Sequence, residues 1–105
     1  LHLNGNCSCN YTPGLWRLLD MGDIASLVAP RPLLVQSCEE DHLNGVRGLK
    51  NVDEQLKIVR DAYELLGRKG GLRHEVRPGG HHLGVAHLAE DIEWLDSQVA
   101  ECAHA

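Results

Sequence analysis

The stretch Leu33-Leu34-Val35-Gln36-Ser37-Cys38, running on into Glu39-Glu40-Asp41, decides how this chain is read. A short apolar run bounded by turn signals is the pattern of a strand buried on both faces, as in a parallel sheet. Pro30 and Pro32 bracket Arg31 and hold the backbone extended on entry to it. Upstream, the segments Leu15 to Leu19 and Ile24 to Val28 place apolar residues at helical spacing. One short helix, or two half-helices bent at Met21-Gly22-Asp23, is expected there.

Downstream, Glu39 to Lys50 is polar and glycine-bearing and reads as loop. Asn51-Val52-Asp53-Glu54 has the form of a capping box, predicting a helix that starts at Asn51. From there Val52, Leu56, Val59, Tyr63 and Leu66 recur at three- and four-residue steps along one helix face, and Gly67 is placed to end the helix. Leu72 to Arg77 reads as a second strand, with Leu72, His74 and Val76 on one side and Arg73, Glu75 and Arg77 on the other. Its polar side places it near a sheet edge. After the turn Pro78-Gly79-Gly80, Val85, Leu88, Ile92, Leu95 and Val99 form the apolar stripe of a last helix, flanked by Trp94. The tail from Glu101 to Ala105 is expected to fray.

Strand, helix, strand, helix is an α/β arrangement with parallel strands and covering helices. Two such strands do not make a stable sheet alone. The expectation is that residues 1–105 form the C-terminal part of a single larger domain, with the missing strands encoded upstream of Leu1. The polar opening from Leu1 to Pro13 and the lack of an initiator methionine fit that expectation.

With 43% apolar residues in 105 the chain has the material for a folded core, drawn mostly from Leu, Val, Ile and Ala because Phe is absent. The net charge is −5 and the ten basic residues are scattered among acids, which disfavours nucleic acid as a partner. No apolar run approaches the roughly 20 residues of a membrane span, and Leu1 does not open a signal peptide. The four cysteines, Cys7, Cys9, Cys38 and Cys102, lack the spacing of a disulfide scaffold. Cys7-x-Cys9 is a weak zinc signal without a second pair, and reads as free thiols in a loop.

In an open parallel sheet, ligands gather outside the carboxyl ends of the strands. Both Glu39-Glu40-Asp41 and Gly79-Gly80-His81 fall at that end. A histidine there can take a proton from a nucleophile and return it to a leaving group, while a carboxylate fixes its tautomer and stabilises the imidazolium. Of the three consecutive acids, Asp41 lies furthest past the strand and is the candidate orienting acid. His81 is the candidate base; His82 follows it directly, and only one of the two can reach the acid. His81, His82, His87 and Asp91 crowd together, but no established metal-ligand spacing is met and no metal is expected. His74, alternating with Leu72 and Val76, reads as a packed strand histidine. An acid and then a histidine, each after a strand, is the order of the last two members of a Ser-Asp-His triad. No G-x-S-x-G occurs, and none of Ser8, Ser26, Ser37 or Ser97 lies in a glycine-flanked turn from strand to helix.

The segments Ala29-Pro30-Arg31-Pro32-Leu33-Leu34-Val35, Glu40-Asp41, Leu65-Leu66-Gly67 and Gly79-Gly80-His81, preceded by Asp20-Met21-Gly22-Asp23-Ile24-Ala25, together resemble the α/β-hydrolase superfamily. Within it they are similar to the branch related to acetyl xylan esterases and dienelactone hydrolases. The resemblance runs from about Asn10 to Val99; after Asp41, His42-Leu43-Asn44-Gly45 stands where many relatives continue with a Val-Pro-like segment. It implies the C-terminal βαβα portion of an α/β-hydrolase fold, a parallel sheet flanked by helices, with the nucleophile elbow in an N-terminal half before Leu1. It further implies Asp41 as triad acid, His81 as triad base, no cofactor, and a small-molecule or carbohydrate carboxylic ester as substrate. The isolated chain would be inactive without the half that carries the serine. Prolyl-oligopeptidase-like peptidases share a similar ending, and a non-catalytic interaction module is the other alternative.

Overall fold

A computed structural model describes residues 12–82 and 84–104. The Cys7-x-Cys9 pair lies outside these residues. Among the described residues the architecture is mixed α/β: three α-helices and two parallel strands, linked by short 3₁₀ turns.

A turn at Leu15–Arg17 precedes helix α1, Met21–Ser26. Asp20, in extended backbone, caps α1: its carboxylate accepts from the Met21 N–H at 2.8 Å, and Asp23 Oδ2 accepts from the Asp20 N–H at 2.8 Å. This reciprocal box starts a new helix, so the break falls at Leu18 to Asp20 and not at the expected Met21-Gly22-Asp23. Gly22 lies inside α1 for a steric reason: a Cβ there would stand 2.6 Å from the backbone oxygen of Gln55.

Strand β1, Leu33–Cys38, and strand β2, Leu72–Arg77, pair in parallel from Leu33 opposite Leu72 to Cys38 opposite Arg77. Their bounds coincide with those read from the apolar and alternating patterns. Between them runs helix α2, Leu49–Leu65, which begins two residues before the predicted Asn51. Gly48 is its N-cap and, being glycine, offers no side-chain cap; Asn51 lies inside the first turn, where its amide donates to the Asn44 carbonyl, and Glu54 pairs with Arg47. At the far end Gly67 takes φ +70°, the Gly67 N–H reaches the Glu64 carbonyl and the Arg68 N–H reaches that of Tyr63 at 2.8 Å. Those two bonds satisfy the last carbonyls of the helix and stop it where glycine was read as a terminator.

Helix α2 covers the sheet face carrying Leu33, Val35 and Leu72. Its buried side chains Leu56, Val59 and Tyr63 make the core, with Ala25, Ala29 and Val52 packed against them. Tyr63 is fully buried, and its hydroxyl donates to the Arg31 carbonyl at 2.5 Å. Burial of this kind pushes the Tyr63 phenol above its ordinary pKa.

Helix α3, Leu88–His104, follows a turn at Val85–His87 and covers the opposite face. Of the tail expected to fray, Glu101 to His104 remain helical, and Ala105 lies outside the described residues. The docking of α3 also differs from the predicted stripe: Leu95 is half-buried, but Val85, Leu88, Ile92 and Val99 are exposed, whereas Asp91 and Gln98 are buried. The cause lies in the sheet. On this side β2 presents Arg73, Glu75 and Arg77, and charges taken out of water need partners. Glu75 pairs with Arg73 at 3.0 Å and Arg77 at 2.6 Å, Asp91 stands 3.6 Å from Arg77, and the Gln36 amide donates to Asp91 at 2.5 Å. The Arg73 guanidinium lies 5.8 Å from the centre of the Trp94 ring. Among the described residues no helix is long and apolar enough to cross a membrane.

Candidate functional site

The site forms where both strands end. Beyond Cys38, the Glu39 N–H donates to the Arg77 carbonyl at 2.8 Å and the Glu40 N–H to the Gly79 carbonyl at 2.9 Å. The two post-strand loops are thereby zipped together for one step past the sheet. Gly79 has φ +90°, a conformation that side-chain-bearing residues rarely adopt, and it turns the chain toward His81.

Asp41 is the N-cap of a 3₁₀ turn, His42–Asn44. Its Oδ1 accepts from the Leu43 N–H at 2.9 Å, and its Oδ2 lies 2.7 Å from Nδ1 of His81. The side chain of Asp41 is 11% exposed and that of His81 is 65% exposed. The Asp41 carboxyl is held below its ordinary pKa, foremost by the His81 hydrogen bond and further by the Leu43 N–H, against the opposing effect of burial. An ionised carboxylate only accepts, so the proton between the two belongs to His81 Nδ1. In the neutral ring the lone pair is then on Nε2, which makes no hydrogen bond to any described residue. A histidine in this state can abstract a proton from a nucleophile brought to Nε2.

The neighbouring candidates go elsewhere. Glu39 and Glu40 are exposed and make no side-chain hydrogen bond or ion pair among the described residues. His82 Nδ1 lies 2.7 Å from the Gly80 carbonyl and its own carbonyl accepts from the Cys38 thiol at 3.6 Å, so it braces the turn and does not meet the acid. The grouping of His81, His82, His87 and Asp91 is dispersed: His87 faces Glu90 at 3.9 Å, and Asp91 is committed to Gln36 and Arg77. Among the described residues no group of three or more His, Cys, Asp or Glu side chains could hold a metal ion. Cys38 and Cys102 are free thiols.

His74 is half-buried and its Nε2 lies 3.0 Å from the Ser37 hydroxyl, which satisfies both polar groups inside the sheet; burial lowers the His74 pKa. Ser37 also lines a groove of about 630 Å³ between α1, β1, α2 and the Asp41 loop, whose apolar wall includes Met21, Val35, Leu43, Leu56 and Val59. The sequence reading missed Asn44 and Asn51, whose amides anchor the acid's loop at 3.0 Å to the Cys38 carbonyl and 2.9 Å to the Asn44 carbonyl. The one available signal was the pair of asparagines flanking a glycine-rich loop, since Asn side chains commonly bond to nearby backbone. No protein-family model, curated protein or solved structure matches this chain.

Proposed function

We propose that this chain supplies the acid and base of a serine hydrolase: Asp41 orients His81, and His81 serves a nucleophilic serine carried by sequence upstream of Leu1. The reading takes the chain as the C-terminal βαβα portion of an α/β-hydrolase fold, acting on a small-molecule or carbohydrate carboxylic ester in the manner of acetyl xylan esterases, without a cofactor. The observation that supports it is the 2.7 Å contact between Asp41 Oδ2 and His81 Nδ1, with Nε2 left open at the carboxyl end of a parallel sheet. In the reaction, His81 takes the serine proton as the hydroxyl attacks the ester carbonyl, then gives it to the leaving alcohol. Water repeats the cycle on the acyl-enzyme.

The test expresses the chain together with its upstream reading frame and assays hydrolysis of acetyl esters and labelling by a fluorophosphonate. Asp41→Asn and His81→Ala are expected to lower kcat by about 10⁴-fold. Near-unchanged turnover in both folded variants overturns the proposal.

A second reading, a non-catalytic interaction module, draws on the exposure of Val85, Leu88, Ile92 and Val99 on and beside α3. It predicts a monodisperse chain that unfolds cooperatively by itself and shows no labelling in any extended form.

A further inference from the structure

We infer that Asn44 and Asn51 are positioning residues that hold Asp41 in reach of His81, an assignment that rests on reading those two as acid and base.

The loop leaving β1 carries Asp41 across to a neighbouring loop, and a short carboxylate tolerates little wandering. A misplacement of about 1 Å at a catalytic group can cost on the order of 10²-fold in rate. Three anchors surround the acid. The Cys38 carbonyl, at the end of β1, accepts both the Asp41 N–H at 3.3 Å and the Asn44 side-chain amide at 3.0 Å. The Asn44 N–H in turn reaches the Asp41 carbonyl at 3.1 Å, closing the 3₁₀ turn that Asp41 itself caps. The Asn51 amide then reaches from the first turn of α2 to the Asn44 carbonyl at 2.9 Å.

The result is a continuous line of hydrogen bonds from α2 through Asn51 and Asn44 to β1, with Asp41 enclosed between its ends. The backbone bonds from Glu39 to Arg77 and from Glu40 to Gly79 fix the roots of the two loops. They do not fix the turn that follows. That turn is closed by its own backbone bonds and the Asp41 cap, and the asparagine side chains tie it to β1 and α2; both spend their amide donors on backbone carbonyls and touch neither the Asp41 carboxylate nor the His81 ring. Asn51 is free for this role because α2 begins two residues before it, at Leu49, with Gly48 as the N-cap.

The experiment is a proton NMR measurement in the cold on the chain expressed together with its upstream reading frame, following the far-downfield Nδ1 proton of a histidine paired with a carboxylate. The signal is assigned through its disappearance in His81→Gln. Asn44→Ala and Asn51→Ala are expected to lose it and to raise the Asp41 titration midpoint toward that of an ordinary carboxyl, while the dispersed amide spectrum persists. Asn51→Ala decides the matter if Asn44→Ala fails to fold, because alanine is favoured within a helix. Retention of the signal and of the Asp41 midpoint in the folded variants makes the asparagines plain loop anchors and overturns the inference. Absence of the signal from the parent chain overturns the Asp41–His81 pairing itself, and the inference with it.

Discussion

Asp41 and His81, forty residues apart in the chain, share one hydrogen bond of 2.7 Å, and the second Asp41 oxygen is occupied by the Leu43 N–H. Neither oxygen is idle, so the carboxylate is held in one orientation, and the bond to Nδ1 leaves Nε2 as the basic atom of the neutral ring.

This pairing makes stability depend on pH in a definite direction. The folded Asp41 carboxyl is held below its ordinary value of 3.8, chiefly by His81. The ionised form is therefore favoured by folding, and its contribution is complete above pH 3.8 and lost as the pH falls through the lower folded value. Urea unfolding of the protein expressed with its upstream reading frame, and of its Asp41→Asn variant, should differ most near neutrality, and the gap should close in strong acid. A gap independent of pH would contradict the pairing.

His74 predicts a second pH dependence at a higher window. Burial lowers its pKa from 6.5, so the unfolded chain binds the proton more readily than the folded one. The contribution is whole above pH 6.5 and declines below it, down through the folded value. His74→Gln, which cannot take up a proton, should show a flatter decline in unfolding midpoint over that range than the parent chain.

The close approach of α1 to α2 is sterically narrow. A Cβ at position 22 would stand 2.6 Å from the backbone oxygen of Gln55, and that oxygen cannot rotate away as a side chain could. Gly22→Ala should destabilise the fold by about 1–3 kcal/mol, measured from the denaturant midpoint. An unchanged midpoint would show that the two helices separate freely.

The charged layer under α3 offers a larger effect. Asp91, with 4% of its side chain exposed, lies between Gln36 and Arg77. Asp91→Ala leaves the Arg77 and Glu75 pair short of one charge in a buried place, and breaking such a partnership costs about 3–5 kcal/mol. Asp91→Asn keeps a polar group opposite Gln36 and should cost less. Equal, small losses in the two variants would mean that water replaces the carboxylate without penalty.

Much of the framework was legible without coordinates. Leu33–Cys38 and Leu72–Arg77 announce themselves through hydrophobicity and alternation, because a strand's neighbours repeat every second residue along it. Gly67 ends α2 as read, because the left-handed turn is a local backbone requirement. That Asp41 and His81 emerge at the same sheet end follows from parallel strands alone. These are local or topological properties, and one-dimensional order carries them.

Tertiary structure decided the rest. Spacing placed Asn51 at a helix end, whereas in the folded chain it lies inside α2 and its amide donates to the Asn44 loop carbonyl at 2.9 Å. The choice of His81 over His82 turned on which ring the Gly79 turn aimed at the acid. Periodicity along α3 revealed an apolar stripe but not what faces the sheet; the half-buried Arg77 guanidinium and the Gln36 amide drew Asp91 inward and left Leu88, Ile92 and Val99 exposed. In each case the outcome depended on competition between partners distant in sequence, a quantity that spacing along the chain does not contain.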